Sequence, residues 1–435
     1  MIFRDELCKV DSRGEFLLWL EGVRDYFLTT PDYQTQIWYL MDGWTSEILV
    51  GNKDFRFNDA PWWITIIDSY GGRQPILLNR EYFLYDSVPF IVSPTVLLDS
   101  QVVNALHTYV TSPNALNTPM REAIRSFLSF VKGRFEFSAI FYFAEMAAKS
   151  NPKKRELYAR ERAAMIFALQ TMDVQEFSQT GRVIPDPAAQ AAHLAYNGIG
   201  SVEEFISRYA GFACDALAQK VALNVDLSYA SLLKIALVQR QMRGDILTKY
   251  RAVREFMEHS LGIVPGEERT LALCYFARPQ RYQRFIHPLQ PGMRFAKFCN
   301  DLRASAWDLF LVRLPEQILG MSTPGSGVVS RSCCLSYVCT AEHALRDIMS
   351  SRSIETVYQF EPELGGTKPF IAHNMEVLEA ALDEDTLREI LAEEMEWQGN
   401  RILDSIVRWP VSSDVLADVI VSLEAEAAAF CKPGT

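Results

Sequence analysis

Four acidic residues lie on strongly apolar segments of the chain, and their setting is the first indication of chemistry. They are Asp99, Glu145, Asp308 and Glu342. A carboxylate is costly to bury unless it is paired with a positive group or binds a cation. A shared cation site is the economical explanation for all four.

Mg²⁺ or Mn²⁺ is the cation that such a site would hold, because hard divalent ions prefer oxygen ligands. One or two of these ions can activate a water molecule and stabilise an in-line displacement at phosphorus. Zinc is the alternative, since Cys333, Cys334, Cys339 and His343 could supply four ligands. Adjacent cysteines on a strand point to opposite faces, however, which disfavours zinc.

Two apolar runs would bring the acids together. The run from Phe90 to Leu98 precedes Asp99, and Cys334 to Cys339 precedes Thr340 and Glu342. Continuous apolar runs of this length are typical of strands buried on both faces of a parallel sheet. Ligand sites of open α/β sheets lie at the carboxyl ends of such strands. The segment from Phe135 to Phe143 fits a strand or a helix, with Ser138 as a candidate N-cap for the helix that carries Glu145.

Four motifs in order resemble the PIN domain, a family of metal-dependent nucleases. Val96-Leu-Leu-Asp99 is similar to the first strand and acid, and Phe137-Ser-Ala-Ile-Phe-Tyr-Phe-Ala-Glu145 to the second acidic segment. Ala306-Trp-Asp308 is similar to the third. Leu335-Ser-Tyr-Val-Cys-Thr340-Ala-Glu342 is similar to the fourth, a strand that leads through Thr to an acid.

The resemblance implies an α/β fold with a PIN-like parallel sheet flanked by helices. It implies that Asp99, Glu145, Asp308 and Glu342 bind Mg²⁺ or Mn²⁺ and are catalytic, and that Thr340 positions the substrate. The implied reaction is hydrolysis of phosphodiester bonds, in RNA rather than DNA. A toxin or anti-phage role is a further expectation from the family.

The chain departs from the family pattern in several places. Gln101 or Asn104 must serve as the polar residue after the first acid, and the fourth acid is Glu where Asp is commoner. The second and third acids are 163 residues apart, which requires a large helical insertion. Asp301 is a rival for the third position.

A basic segment with interspersed aromatic residues could follow a nucleic-acid backbone. Its candidate substrate contacts are Arg278, Arg281, Arg284 and Lys297, and a second basic group is Lys153, Lys154, Arg155 and Arg160. The alternative is a solvated helix face with its aromatic residues turned inward.

The patterns divide the chain into three regions. Residues 1–90 are predicted to form a small α+β cap, and residues 91–350 the PIN-like domain, with a helical insertion at about 151–290. Residues 351–435 are predicted to form an acidic helical C-terminal region. From Glu376 onward the chain has 14 acids and four bases, so this region accounts for most of the net charge of −11.

Composition sets the broad class of protein. With 435 residues, 49% hydrophobic and 22% charged, the chain has the balance of a folded globular protein of two or three domains. The first twenty residues lack a secretory pattern, and the apolar runs fall short of the roughly 20 residues of a membrane span, so no membrane association is expected. Unpaired cysteine spacing favours the cytoplasm.

Each acid also has a structural interpretation. Asp99 could cap the following helix, and Glu145 and Asp308 could pair with Arg134, Arg303 or Arg313. Glu342 could be an acid in the first turn of a helix, where the helix dipole stabilises a negative charge. The second hypothesis is therefore a non-catalytic interaction protein with the same fold. A protein partner or self-association through the helical regions is expected under this hypothesis.

Overall fold

The computed structural model describes the chain in segments. Longer segments are residues 64–70, 73–85, 91–149, 151–321, 332–342, 376–393 and 411–431, and shorter ones are 21–22, 24–25, 28–29, 35–45, 54–56, 345, 354–360 and 368–373. The chain forms two compact units. The first comprises Met1–Cys214 and Arg313–Asn374, and the second Asp215–Val312 and Met375–Thr435.

Nine strands lie in the described residues, all in the first unit. They are β1 Thr35–Thr45, β2 Asp54–Arg56, β3 Thr65–Ile67, β4 Arg73–Leu78, β5 Ile91–Leu98, β6 Glu136–Ser138, β7 Ser332–Thr340, β8 Ile354–Phe360 and β9 Lys368–His373.

Fifteen of the helices in the described segments have the following bounds, in chain order. They are α1 Arg80–Tyr85, α2 Ser100–Thr111, α3 Thr118–Val131, α4 Ile140–Lys149, α5 Pro152–Gln170, α6 Val174–Thr180, α7 Pro187–Tyr196, α8 Val202–Ala210, α9 Asp215–Gln241, α10 Ile246–Ser260, α11 Gly266–Ala277, α12 Pro279–Tyr282, α13 Phe295–Met321, α14 Glu376–Ala381 and α15 Ser413–Ala428. Residues 384–393 are also helical.

A five-stranded mixed sheet forms the centre of the first unit, in the order β2-β3-β7-β5-β6. Strand β5 runs parallel to both β7 and β6, while β3 runs antiparallel to β7. The two apolar runs predicted to be parallel strands are therefore confirmed as β5 and β7. The ambiguous segment from Phe135 to Phe143 is divided between strand β6 and helix α4. The fold is α/β, as predicted.

A second, antiparallel sheet joins regions that the sequence was expected to separate. Its order is β4-β1-β8-β9. Strands β1 and β4 belong to the predicted cap, whereas β8 and β9 belong to the region predicted to be helical. The predicted boundary at residue 350 therefore does not coincide with the structure. Hydrogen bonding between strands distant in sequence is the reason, because the local pattern does not encode it.

Helices cover the central sheet through their apolar faces. Val102 and Leu106 of α2 and Phe127 of α3 are fully buried beside Val96 of β5. Helix α3 is capped by Asn117, whose side chain accepts from Met120 N at 2.9 Å, and Pro119 lies in its first turn.

Tyr70 contacts strand β7 just beyond the end of the neighbouring strand β3. Its hydroxyl accepts a hydrogen bond from Ser336 N at 3.0 Å and donates to Pro315 O at 3.4 Å. Its ring packs edge-on against Tyr337, with centroids 5.8 Å apart. Strand β3 pairs with β7 only at residues 338–340, so the Tyr70 hydroxyl accepts from a backbone N–H of β7 that β3 does not reach.

Replacing Tyr70 with Phe should lower the free energy of unfolding by about 1–2 kcal/mol, because a buried N–H would lose its acceptor. Chemical denaturation would measure this change. Tyr85→Phe is the matched control, since Tyr85 is 70% exposed and should alter stability little. Equal stability of Tyr70→Phe and wild-type protein would contradict this role.

The second unit is helical in its described residues. Helix α9 packs on α15 and on α10, and its buried residues include Tyr229, Leu232 and Leu233. The predicted insertion began at residue 151, but residues 151–214 belong to the first unit. The acidic residues also have cationic partners here: Arg251 pairs with Glu393 and, at 2.9 Å, with Glu389.

Among the residues that the structure describes, one helical stretch qualifies by length and composition as a membrane span. It covers Val202–Gln241, and most of its apolar window is buried inside the protein. A buried core helix has the same length and composition.

Candidate functional site

The site lies at the carboxyl ends of β5 and β7, where the chain leaves two adjacent parallel strands. Asp99 follows β5, and its backbone N–H donates to Cys339 O at 2.9 Å. Thr340 ends β7. Asp99 is 7% exposed and Thr340 1% exposed, so an acid and a hydroxyl meet inside the protein.

Asp99 is held in place by two donors. The Thr340 hydroxyl donates to Asp99 Oδ2 at 2.7 Å, and Gln101 N donates to Oδ1 at 3.2 Å. The second contact makes Asp99 the N-cap of α2, which confirms the structural role expected for this residue.

The pKa of Asp99 is raised from 3.8 to about 6, mainly by burial. The hydrogen bonds from Thr340 and Gln101 oppose this rise, while the charges of Glu342 and Glu145 contribute to it. Desolvation is the largest cause, because it penalises the charged form.

Glu145 enters the site from α4. Its carboxylate accepts from the Ser100 hydroxyl and forms an ion pair with Lys149 at 2.5 Å, one helix turn further along. The predicted cap Ser138 lies at the start of this region, where its hydroxyl accepts weakly from Ile140 N at 3.4 Å. Of the alternative partners considered, Arg134 instead lies over the ring of Phe130.

Glu342 completes the group from the segment after β7. Gln101 Nε2 donates to its carboxylate, and Glu342 N donates to Thr340 Oγ1 at 3.0 Å. Partial burial raises the pKa of Glu342, and the charge of Glu145 raises it further. Asp99, Glu145 and Glu342 are therefore within electrostatic reach of one another, and we call them the carboxylate cluster.

Protein donors occupy the carboxylate cluster in this structure. No group of three or more His, Cys, Asp or Glu side chains within the described ranges is already arranged to hold a metal ion. Each carboxylate instead accepts from Thr340, Ser100, Lys149 or Gln101. A bound cation would have to replace some of these contacts with carboxylate–metal bonds.

Asp308 and its rival Asp301 lie in the second unit, on α13. Asp308 is partly buried. Asp301 pairs with Lys297 at 2.5 Å and faces His287 at 3.9 Å. The carboxylate cluster of the first unit thus contains three of the four predicted acids.

The predicted basic contacts are also in the second unit. Arg278, Arg281, Arg284 and Lys297 are all exposed, whereas Tyr282, Phe285 and Phe298 are buried. The inward orientation of the aromatic residues was the alternative interpretation. Arg278 donates to Ala380 O, and Arg281 lies over the ring of Tyr282, so this surface is partly tied to its own unit.

The alternative zinc set is only partly described. Cys334 lies 3.3 Å from the Thr95 hydroxyl, and burial raises the pKa of the Cys339 thiol well above its usual range. A thiol held protonated is a poor zinc ligand. The side chains of Cys333 and His343 lie outside the described residues.

Ser100, Lys149 and Arg162 were not singled out as site residues on the sequence. Ser100 directly follows Asp99, and Lys149 lies four residues after Glu145, which is the spacing of helix neighbours. These two could have been found from their positions. Arg162 contacts Asn104 only because α2 packs on α5, so no local signal marks it.

Comparison of the chain with protein-family models, curated proteins and solved structures yields no match.

Asp99→Asn should stabilise the metal-free protein at neutral pH. The pKa of Asp99 rises from 3.8 to about 6 on folding, so its ionisation opposes folding above pH 6 and has no effect below about pH 4. A pKa shift of about two units corresponds to about 2–3 kcal/mol in the free energy of unfolding. Asn keeps one acceptor oxygen, which can cap α2 by accepting from Gln101 N, and its amide group can donate to the Thr340 hydroxyl oxygen.

Denaturant unfolding in EDTA at pH 8 and pH 4 would measure this difference. The variant should be more stable at pH 8 and equal to the wild type at pH 4. Asp173→Asn is the matched control, because Asp173 is the N-cap of α6 and accepts from Gln175 N and Glu176 N. A destabilised Asp99→Asn protein at pH 8 would show that the buried charge is favourable.

Proposed function

We propose that the protein is a PIN-like, metal-dependent nuclease that hydrolyses phosphodiester bonds, with RNA as its substrate. The carboxylate cluster is the observation that supports this proposal. Its three acids come from distant parts of the chain and meet at the carboxyl ends of parallel strands. The charges of Glu342 and Glu145 raise the pKa of Asp99, and the charge of Glu145 raises the pKa of Glu342. A cation bound between these carboxylates would stabilise the fold, because it would neutralise their mutual repulsion.

The donor set fits Mg²⁺ or Mn²⁺, because all three side chains offer carboxylate oxygens. Asp99, Glu145 and Glu342 would hold the ion. Such an ion, when bound, supplies a Lewis acid that activates water and neutralises charge at phosphorus.

The residues around the carboxylate cluster orient its acids through hydrogen bonds and an ion pair. Thr340 orients Asp99 through its hydroxyl, and the same oxygen accepts from Glu342 N, so one side chain links both acids. Lys149 pairs with Glu145 and would be released if a cation replaced it. A released ammonium group at this edge could then contact a substrate phosphate.

The parallel order β6-β5-β7 supports the PIN-like part of the proposal, since the acids of the resemblance follow these strands in the expected sequence. The exposed arginines of the second unit, Arg278, Arg281 and Arg284, are proposed as contacts to the nucleic-acid backbone. The metal-binding role of Asp308, which lies on α13 of the second unit, is likewise a proposal from the resemblance. A cytoplasmic setting and a toxin or anti-phage role also remain proposals from the resemblance.

A non-catalytic interaction protein is the second candidate. The hydrogen bonds that satisfy the carboxylate cluster favour it, because acids with structural partners do not need a cation. Under this proposal the helical regions would bind a protein partner or a second copy of the chain.

Incubation of the full chain with labelled single-stranded RNA and Mn²⁺ tests the first proposal. Wild-type protein should cleave the RNA, and Asp99→Asn or Glu145→Gln should reduce the rate at least about a hundredfold. Asp173→Asn should cleave like the wild type.

Cleavage that persists in Asp99→Asn protein, or that persists in EDTA, would overturn the nuclease proposal. Absence of cleavage by wild-type protein with every divalent ion would favour the interaction protein.

A further inference from the structure

Helix α2 presents a row of polar side chains that extends beyond the carboxylate cluster. Ser100 and Gln101 bind Glu145 and Glu342 in its first turn. Asn104, one turn further, accepts a hydrogen bond from Arg162 Nη2 of α5 at 3.1 Å. Four residues of helix correspond to about 6 Å along the axis. The Arg162 guanidinium therefore contacts α2 about one turn beyond the residues that bind Glu145 and Glu342.

Arg162 is unusually constrained for an arginine. Its side chain is only 11% exposed, and its guanidinium carbon lies 5.8 Å from the Tyr142 ring centroid and 6.0 Å from that of Tyr158. Its Nε is buried and has no hydrogen-bond partner within the described part of the chain. A guanidinium fixed in this way loses little side-chain entropy when it binds an anion.

The present anionic partner of Arg162 is a solvent-exposed side chain on the same helix. Arg162 Nη1 donates to Glu161 Oε2 at 3.1 Å, and solvent weakens an ion pair with an exposed carboxylate. The Glu161 side chain is 40% exposed and also lies 3.9 Å from His107. A phosphate with two free oxygens is a stronger partner for a guanidinium than this exposed carboxylate.

We propose that Arg162 and Asn104 form a phosphate subsite that binds the backbone phosphate next to the one hydrolysed. Asn104 is exposed and its amide N–H groups can donate to a phosphate oxygen, while Glu161 swings into solvent. The inference rests on the proposed function. It also specifies the substrate class as a phosphodiester strand that carries at least two neighbouring phosphates.

Tyr158 indicates that this strand is unpaired. It lies beside Arg162 and is 38% exposed, so part of its ring is open to solvent. An exposed ring next to a phosphate site offers a stacking face for a base, and only an unpaired base can reach it. The subsite therefore favours single-stranded nucleic acid over a duplex.

Fluorescence anisotropy with a short labelled single-stranded RNA tests the subsite without cleavage. The full chain carrying Asp99→Asn is used in EDTA as the reference protein. Adding Arg162→Gln should weaken binding about tenfold, since a charged hydrogen-bonded contact is lost. Adding Arg208→Gln, at an exposed position of α8 where the arginine pairs with Glu204, should have little effect.

Glu161→Gln supplies an independent test that does not depend on replacing a buried residue. Removing the competing carboxylate should tighten RNA binding severalfold. Glu156→Gln makes the same charge change on an exposed position of α5 and should tighten binding less. A blunt RNA duplex should bind with an affinity that does not depend on Arg162.

Equal affinities of Arg162→Gln and the reference protein, or of Glu161→Gln and Glu156→Gln, would overturn the subsite. If Arg162→Gln does not fold, the Glu161→Gln comparison decides. Failure of the nuclease proposal is distinguishable: Arg162-dependent binding without metal-dependent cleavage by the wild-type chain would contradict the nuclease and leave the subsite standing.

Discussion

Repulsion among carboxylates in a partly buried site is the constraint on which the functional part of the structure depends. Burial is the largest of the causes that bring the pKa of Asp99 to about 6, and the charges of Glu342 and Glu145 also raise it. The protein offsets this cost locally with the Thr340 hydroxyl, the Ser100 hydroxyl and the Gln101 amide. Helix α2 thus supplies hydrogen-bond donors to all three acids. Strands β5 and β7 position Asp99 and Glu342, and α4 positions Glu145.

The apolar strands could be predicted because their pattern is local. Phe90 to Leu98 and Cys334 to Cys339 indicated parallel strands, and the rule for the carboxyl edge of such a sheet then placed Asp99 and Thr340 together. The hydrogen bond between these two side chains agrees with that prediction. Asp99 also caps α2, so its structural and functional interpretations are compatible.

Long-range pairing explains what the sequence could not reveal. Strands β8 and β9 join β1 and β4 in one sheet, although nearly 300 residues of chain separate them. Helix α13 runs through the boundary between the two units, so the periodicity around Asp308 gave no sign that this acid belongs to the second unit. The contact between Asn104 and Arg162 likewise arises from the packing of α2 on α5.

Calorimetric titration of the metal-free protein with Mn²⁺ tests the central claim most directly. A cation that binds the carboxylate cluster must displace the proton of Asp99, so binding at pH 6 should release about half a proton, and binding at pH 8 almost none. Buffers of different ionisation enthalpy would report this release, which Asp99→Asn should abolish. Absence of saturable binding, or binding with the same proton release in Asp99→Asn protein, would contradict the account.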